Sequence, residues 1–255
     1  MSAQPNDSPY KSIAHWLELS RSTVVLTGAG ISTESGIPDF RSPSGVWAKY
    51  APVYFDEFLA SAESRHEYWR HKCEAHPAMA AAQPNLGHEI LARWESAGRI
   101  AAVITQNIDG LHQLAGSRNV LELHGTAREI ACLDCHARFD VEPLVAEFLA
   151  SDRVPLCPKC RGRLKHATVS FGQQLPPEVL MKASALCAKA ELIFAVGSSL
   201  VVHPAAGLPR LAVQRGARLV IVNRDATELD SLANCALRDP ISVELQRVDA
   251  VLGTR

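Results

Sequence analysis

Apolar residues gather along the chain in short, β-branched runs: TVVLT at 23–27, AAVIT at 101–105, LIFAV at 192–196 and RLVIV at 218–222. Each is followed by a turn containing Gly, Asn or Ser, and none alternates with polar residues. Runs of this kind predict strands of a parallel sheet buried on both faces. Segments 87–97 and 178–190 carry apolar residues at helical spacing ahead of the second and third runs. Strand and helix in alternation predict an α/β fold, a Rossmann-like doubly wound parallel sheet with right-handed crossovers. Two stretches break the alternation. Residues 44–82 are rich in aromatics, His and Ala and predict helices, and residues 128–166 contain paired cysteines around the helix-like VEPLVAEFLA. Both read as insertions forming one small module, which leaves 1–43, 83–127 and 167–255 to the sheet domain.

At 255 residues, 47% of them hydrophobic, the chain can bury one sizeable core with a small satellite. Its 26 basic and 27 acidic residues leave a formal charge of −1, so no global field would hold it on nucleic acid or an anionic membrane. The opening MSAQPNDSPYKS lacks the apolar core of a signal peptide, and no apolar run approaches the roughly 18 residues of a spanning helix. A cytoplasmic monomer with no membrane partner and no direct nucleic-acid partner is the expectation. Seven cysteines are an odd number, which fits a reduced compartment with one metal site better than a disulfide framework. Cys73, Cys187 and Cys235 stand alone in helix-like surroundings and read as small buried apolar residues.

The first strand runs into Gly28-Ala29-Gly30-Ile31-Ser32, a strand-to-helix turn where bare backbone can approach a pyrophosphate and free N–H groups face it. A dinucleotide is expected there. Thr33 replaces the third glycine of the dehydrogenase fingerprint, and no acidic residue closes a neat second strand, so the turn alone is also compatible with a purely structural role. Asp39, Phe40 and Arg41 follow on a proline-bearing loop that would lie over whatever the turn binds.

The second strand ends in Gln106-Asn107-Ile108-Asp109-Gly110-Leu111-His112, at the sheet edge where ligands of open α/β folds sit. Gln106, Asn107 and Asp109 can hold a carboxamide, ribose hydroxyls and a water, with backbone at Ile108 bonding alongside; an ordinary Asn/Asp turn is the alternative. His124, at the end of VLELHG, is the candidate general base, because an imidazole near its ordinary pKa of about 6.5 can take a proton from a sugar hydroxyl. His112 is its nearest competitor. Past the cysteines, VSFGQQLP at 169–176 could pair with a peptide by strand addition. Gly197-Ser198-Ser199 after the third strand and Asn223 after the fourth lie where ribose and adenine would reach.

Cys132-x-x-Cys135 and Cys157-x-x-Cys160, with residues 136–156 between them, form two knuckles near zinc-ribbon spacing. Four thiolates make a closed tetrahedral shell, so the zinc they imply is structural. A redox pair is disfavoured, since two pairs share one short segment outside a thioredoxin-like setting. A nucleic-acid-binding ribbon remains open for this segment alone, where Arg128, Arg138, Arg153, Lys159, Arg161, Arg163 and Lys165 could touch phosphate.

Taken together, GAGISTESGIPDFRSPSGVW, QPNLGH, TQNIDGLHQLAGS, LELHG, the four cysteines, SFGQQLP, VGSSLVVHPAAGLP and IVN run in order over nearly the whole chain. The chain resembles the sirtuins, most closely the bacterial ones. That resemblance implies NAD and an acyl-lysine protein or peptide entering one cleft from opposite sides. It also implies the chemistry: the acyl oxygen attacks the ribose C1′ as nicotinamide leaves, and free lysine and O-acyl-ADP-ribose result. By motif position, His124 would be the base and Asn107 would position the ribose and a water, while Asp109 and Ile108 would hold the carboxamide. Gly28, Ala29, Gly30, Ser198 and Ser199, with Ser32, Gln106 and Gly197 in the same turns, would hold phosphate and ribose, and Asn223 would lie near the adenosine. Asp39, Phe40 and Arg41 would form the cofactor loop, and Val169, Phe171, Gly172 and Val201 would clamp the peptide.

Two departures change the expectation. Gln173 stands where many members carry Glu, removing a negative charge from the peptide groove. His71 follows Tyr68 by three residues, where members that prefer succinyl or malonyl groups carry Arg, so a neutral acyl group such as acetyl is expected. Rival readings are an NAD enzyme of another class, either a dehydrogenase or a mono-ADP-ribosyltransferase, and a non-catalytic zinc ribbon. The missing glycine speaks against the dehydrogenase, retention of Asn107 and His124 against the transferase, and the balanced charge against the ribbon.

Overall fold

A computed structural model describes residues 8–39 and 51–253. Phe40 and Arg41 lie outside these residues. At the centre of a six-stranded parallel sheet is β1 (Thr23–Thr27), flanked by β2 (Ala102–Thr105) and β7 (Leu192–Val196). Every residue of these three strands is buried, as their unbroken apolar runs require. Outside them lie β3 (Val120–Glu122) on one side and β8 (Arg218–Val222) then β9 (Cys235–Leu237) on the other. The two edge strands escape the pattern because they are three residues long and only partly buried.

Helices α1 (Pro9–Leu19), α4 (Leu86–Ser96) and α9 (Ile241–Gly253) cover one face, where Ile13, Leu17, Trp94, Phe194 and Val248 pack together. On the opposite face α7 (Pro177–Lys189) and α8 (Gly207–Gln214) bury Cys187 and Leu208 against Leu26, Ile193 and Ile221. The fold is thus the doubly wound α/β architecture that the alternation predicts.

A second, antiparallel sheet has the order β5-β4-β6, with β4 at Gly125–Cys132, β5 at Arg138–Asp140 and β6 at Leu164–Thr168. Helices α2 (Phe55–Ala60), α3 (Ala62–Ala81) and α6 (Val141–Ser151) close around it through Phe58, Trp69, Ile130, Phe148 and Leu164. The Trp69 indole N–H donates to the Leu164 carbonyl at 3.1 Å, so its polar edge is satisfied inside an apolar cluster. Strand β4 starts immediately after His124 and ends on Cys132, so one strand joins the candidate base to the cysteine centre.

Sheet order reverses direction between β1 and β7, and the turns leaving these two strands interlock. Gly28 N–H donates to Val196 C=O at 3.0 Å, and Gly30 N–H to Gly197 C=O at 2.8 Å. A β-carbon on Gly30 would sit 2.7 Å from Gly197 Cα, and one on Gly197, whose φ is +63°, would sit 2.4 Å from Ile31 N. The glycines are therefore demanded by backbone packed on backbone, before any ligand is considered. Gly197→Ala is expected to cost about 2 kcal/mol or more of stability, read as a fall of roughly 4–8 °C in Tm by thermal unfolding. An unchanged Tm would show that the two turns can move apart.

Candidate functional site

The crevice at the β1/β7 reversal opens into a cleft of about 1230 Å³. It is lined by the turn at Gly28–Gly30, by Gln106–Ile108 and His124, by Val169–Gly172, and by Gly197–Ser199 with Asn223. Asp39 also faces it.

After β1 the chain turns into a 3₁₀ helix, Ala29–Ser35, closed by Gly36 in the left-handed region at φ +84°. Buried Ser32 donates to Asp109 Oδ2 at 2.7 Å and accepts from the Asn107 side-chain NH2 at 3.1 Å. That same NH2 donates to Gly28 C=O at 3.1 Å, which fixes the amide orientation. Asp109 Oδ1 accepts from Leu111 N–H at 2.9 Å, capping the short helix α5 (Leu111–Leu114). Gln106 donates to Ser198 Oγ at 2.9 Å and so ties the β2 turn to the β7 turn.

His124 is oriented by one bond. Its Nδ1 lies 2.8 Å from the Gln106 carbonyl, which can only accept, so Nδ1 carries the proton. In the neutral ring Nε2 therefore holds the lone pair, on a residue that lines the cleft. Burial lowers the pKa below the ordinary value of 6.5, with the Gln106 carbonyl opposing. The imidazole is thus predominantly neutral at physiological pH, as a base requires.

His112 has a different environment. It is 1% exposed, its Nε2 lies 2.9 Å from Thr27 Oγ1, and that hydroxyl donates to Thr105 Oγ1 at 2.8 Å. Its ring stacks edge-on against His88 with centroids 4.9 Å apart. Burial and the neighbouring His88 push its pKa down to about 3. It does not line the cleft, and it supports the strand ends from behind.

In the small module the Sγ atoms of Cys132, Cys135, Cys157 and Cys160 all lie within 4.8 Å of one another, with Cys132–Cys160 at 3.5 Å and Cys135–Cys157 at 3.7 Å. A tetrahedron with zinc–sulfur bonds of about 2.3 Å has edges of about 3.8 Å, so the set fits zinc without rearrangement. Each knuckle turns through a left-handed residue, His136 at φ 60° and Arg161 at φ 63°. Cys135 N–H and Gly162 N–H point at Cys132 and Cys160 sulfur, both at 3.4 Å, where they stabilise thiolate.

A sequence model of the Sir2 family matches residues 28–204. The chain belongs to the Sir2 family. It is 45% identical over 235 residues to the NAD-dependent protein deacetylase of Rhodopseudomonas palustris, covering 91% of each chain. To the Thermotoga maritima protein of the same name it is 48% identical over 218 residues, covering 85% of this chain and 87% of that one. Among solved structures, a Sir2 complex with p53 peptide and NAD+ superposes with a TM-score of 0.88 at 42% identity, covering 97% of this chain and 100% of that one. A Sir2 bound to a propionylated peptide gives 0.87 at 41% identity, covering 97% and 100%.

Within this Sir2-family cleft, the expected residues divide by position. Gly28, Ala29, Gly30, Asp39, Gln106, Asn107, Ile108, His124, Val169, Phe171, Gly172, Gly197, Ser198, Ser199 and Asn223 line it. Ser32 and Asp109 do not; they are buried and bonded to each other, and Ser32 also accepts from Asn107. Val201 lies beside the cleft, 46% exposed. Glu34, Thr168, His203 and Arg238 also face the cleft; Glu34 comes from the 3₁₀ helix, Thr168 from the end of β6, and His203 and Arg238 from segments outside helix and strand, so no single periodicity or spacing marks them. Arg163 pairs with Asp134 and Arg138 with Glu129, so part of the ribbon's positive charge is already engaged.

The metal centre yields a direct expectation. The purified protein is expected to carry about one zinc per chain, and Cys135→Ala to lose it together with the folded small module, as read by elemental analysis and hydrogen exchange of β4–β6. Full exchange protection without metal would contradict it.

Proposed function

We propose that this chain removes acyl groups, acetyl foremost, from protein lysines at the expense of NAD, leaving nicotinamide and O-acyl-ADP-ribose. The observation that carries the proposal is the His124 tautomer: a neutral imidazole, locked through Nδ1, that keeps its lone pair on Nε2 in a residue lining the same cleft as the interlocked glycine turns. The relatives named NAD-dependent protein deacetylase and the Sir2 complexes with peptide and NAD+ support it.

NAD, when bound, supplies the ADP-ribosyl group that accepts the acyl oxygen. The chain's own residues hold, orient and deprotonate. His124 Nε2 takes the proton of a ribose hydroxyl. Asn107, its NH2 committed to Gly28 and Ser32, turns its carbonyl oxygen to ligand duty. Ile108 with the Asp109 turn holds the carboxamide. The glycine turn, Ser32 from behind it, Gln106, Gly197, Ser198 and Ser199 shape the phosphate and ribose seat, and Asn223 takes the adenosine end. Asp39 leads into the cofactor loop, to which Phe40 and Arg41 are assigned by motif position.

The peptide would add to β6, an edge strand of the small sheet. Val169 N–H already donates to His124 C=O at 2.8 Å, while the Val169 carbonyl has no partner among the described residues. Phe171 C=O accepts from Phe55 N–H at 2.9 Å, and its ring lies 5.8 Å from that of Tyr54, fixing the lip where Phe171 and Gly172 would clamp the substrate opposite Val201. Residues 1–43, 83–127 and 167–255 serve as the nucleotide-binding domain, with 44–82 and 128–166 as the small module. No described helix is long and apolar enough to cross a membrane. A cytoplasmic monomer without a nucleic-acid partner belongs to the same proposal, supported by the near-neutral charge of −1.

His124→Ala is expected to cut acetyl-lysine turnover at least about a hundredfold with the thermal transition retained; activity near wild type would remove His124 from the role of base. Because its folded pKa lies below 6.5, the base stays neutral above that value, and kcat/KM should fall only as pH drops below it. A break above that pH would contradict the assignment. On a panel of acetyl, propionyl, succinyl and long-chain acyl-lysine peptides, acetyl is expected to lead, and a succinyl preference would overturn the neutral-acyl reading.

A further inference from the structure

Arg128 lies on β4, three residues past the Gly125 that opens the strand and four before the cysteine that ends it. Its side chain leaves the small sheet and reaches back to the Asp109–Gly110 turn. Nε donates to the Asp109 carbonyl at 2.6 Å. The guanidinium stem lies flat on Gly110, whose φ is +70°, so closely that a β-carbon there would meet Nε at 2.6 Å and Cδ at 2.8 Å. One terminal nitrogen, Nη2, is buried with no hydrogen-bond partner among the described residues. No carboxylate among them pairs with the guanidinium either, and Arg128 differs in this from its neighbours Arg138 and Arg163. An arginine with a buried unpaired nitrogen is held by shape and by the single Nε bond, and a fold keeps such a cost where the geometry is otherwise over-determined.

Strand β4 grips the turn a second time, because Ala127 N–H donates to the Ile108 carbonyl at 2.8 Å. Both carbonyls of the Ile108–Asp109 pair are thus taken from behind by β4, while the Asp109 carboxylate is taken by Ser32 and Leu111 N–H. We propose that Arg128 is a positioning residue: from the cysteine-bearing strand it sets the place of the Asp109–Gly110 turn, and through it the grip of the cleft on the nicotinamide end of NAD. This rests on the NAD-dependent reading above and assigns to the small module a part in holding the cofactor. Arg128 itself is absent from the cleft lining, so it acts through the turn and touches no ligand.

The test uses the full zinc-loaded chain. NAD affinity is measured by calorimetry, inhibition by free nicotinamide and KM for an acetyl-lysine peptide by turnover, and zinc content by elemental analysis, for wild type, Arg128→Ala and Arg128→Met. Methionine retains an aliphatic stem over Gly110 and lacks the donor, so it keeps the test open if alanine fails to fold. Both variants are expected to weaken NAD binding and nicotinamide inhibition by about tenfold, with peptide KM and zinc content unchanged. Added guanidinium ion, at concentrations that leave wild type folded, is expected to restore part of the NAD affinity of Arg128→Ala and none of that of Arg128→Met. NAD affinity within twofold of wild type, or a peptide KM raised by the same factor as the NAD constants, would overturn the proposal. Wild-type turnover of the acetyl-lysine peptide tests the underlying reading separately, because the calorimetric comparison stands without it.

Discussion

One hydrogen bond organises the reactive centre: His124 Nδ1–H to the Gln106 carbonyl, 2.8 Å. Gln106 is the first residue beyond β2, so the bond references the imidazole to a strand buried along its whole length. It decides the tautomer, hence which nitrogen is basic. A carbonyl acceptor favours imidazolium, yet burial is the larger influence, and the net effect keeps the ring neutral. His112 is kept neutral by burial more strongly still, and with its Nε2 bonded to the Thr27 hydroxyl it is a strut.

Around that bond the rest is positioned by close backbone contact. The β1 and β7 turns touch without room for a β-carbon, which brings the Gly28–Gly30 floor and the Ser198 wall into one crevice. Ser32 and Asp109, behind the cleft lining, join Asn107 on it in a buried polar network whose hydrogen-bonding capacity is largely spent on itself, so it is stiff before any ligand arrives. Strand β4 then carries this frame to the four cysteines. A metal that closes those knuckles would anchor the far end of the strand that begins immediately after His124.

Much of this was legible in the order of residues. Four continuous apolar runs could only be strands covered on both faces, and paired C-x-x-C knuckles with nearby turns could hardly be anything but a closed S4 site. Other features left little trace. The edge strands β3 and β9 are short and half-buried, so nothing in their hydrophobicity separates them from loop. Motif position singles out His124 over His112; the physical ground, that only His124 lines the cleft, is a property of tertiary packing. Ser32 and Asp109 stood in the right motifs, but only coordinates place them behind the wall, where they support Asn107. Arg128 reads in sequence like the ribbon's other scattered basic residues, and only packing shows its side chain against Gly110 with Nε on the Asp109 carbonyl.

The central claim is about a proton on one ring, and nitrogen-15 NMR of histidine-labelled protein reads it directly. Near neutral pH the His124 resonances should show hydrogen on Nδ1 and a free lone pair on Nε2, with a scalar coupling across the bond to the Gln106 carbonyl. A proton found on Nε2 would contradict the account, since the ring would then have no lone pair away from the Gln106 carbonyl with which to accept another.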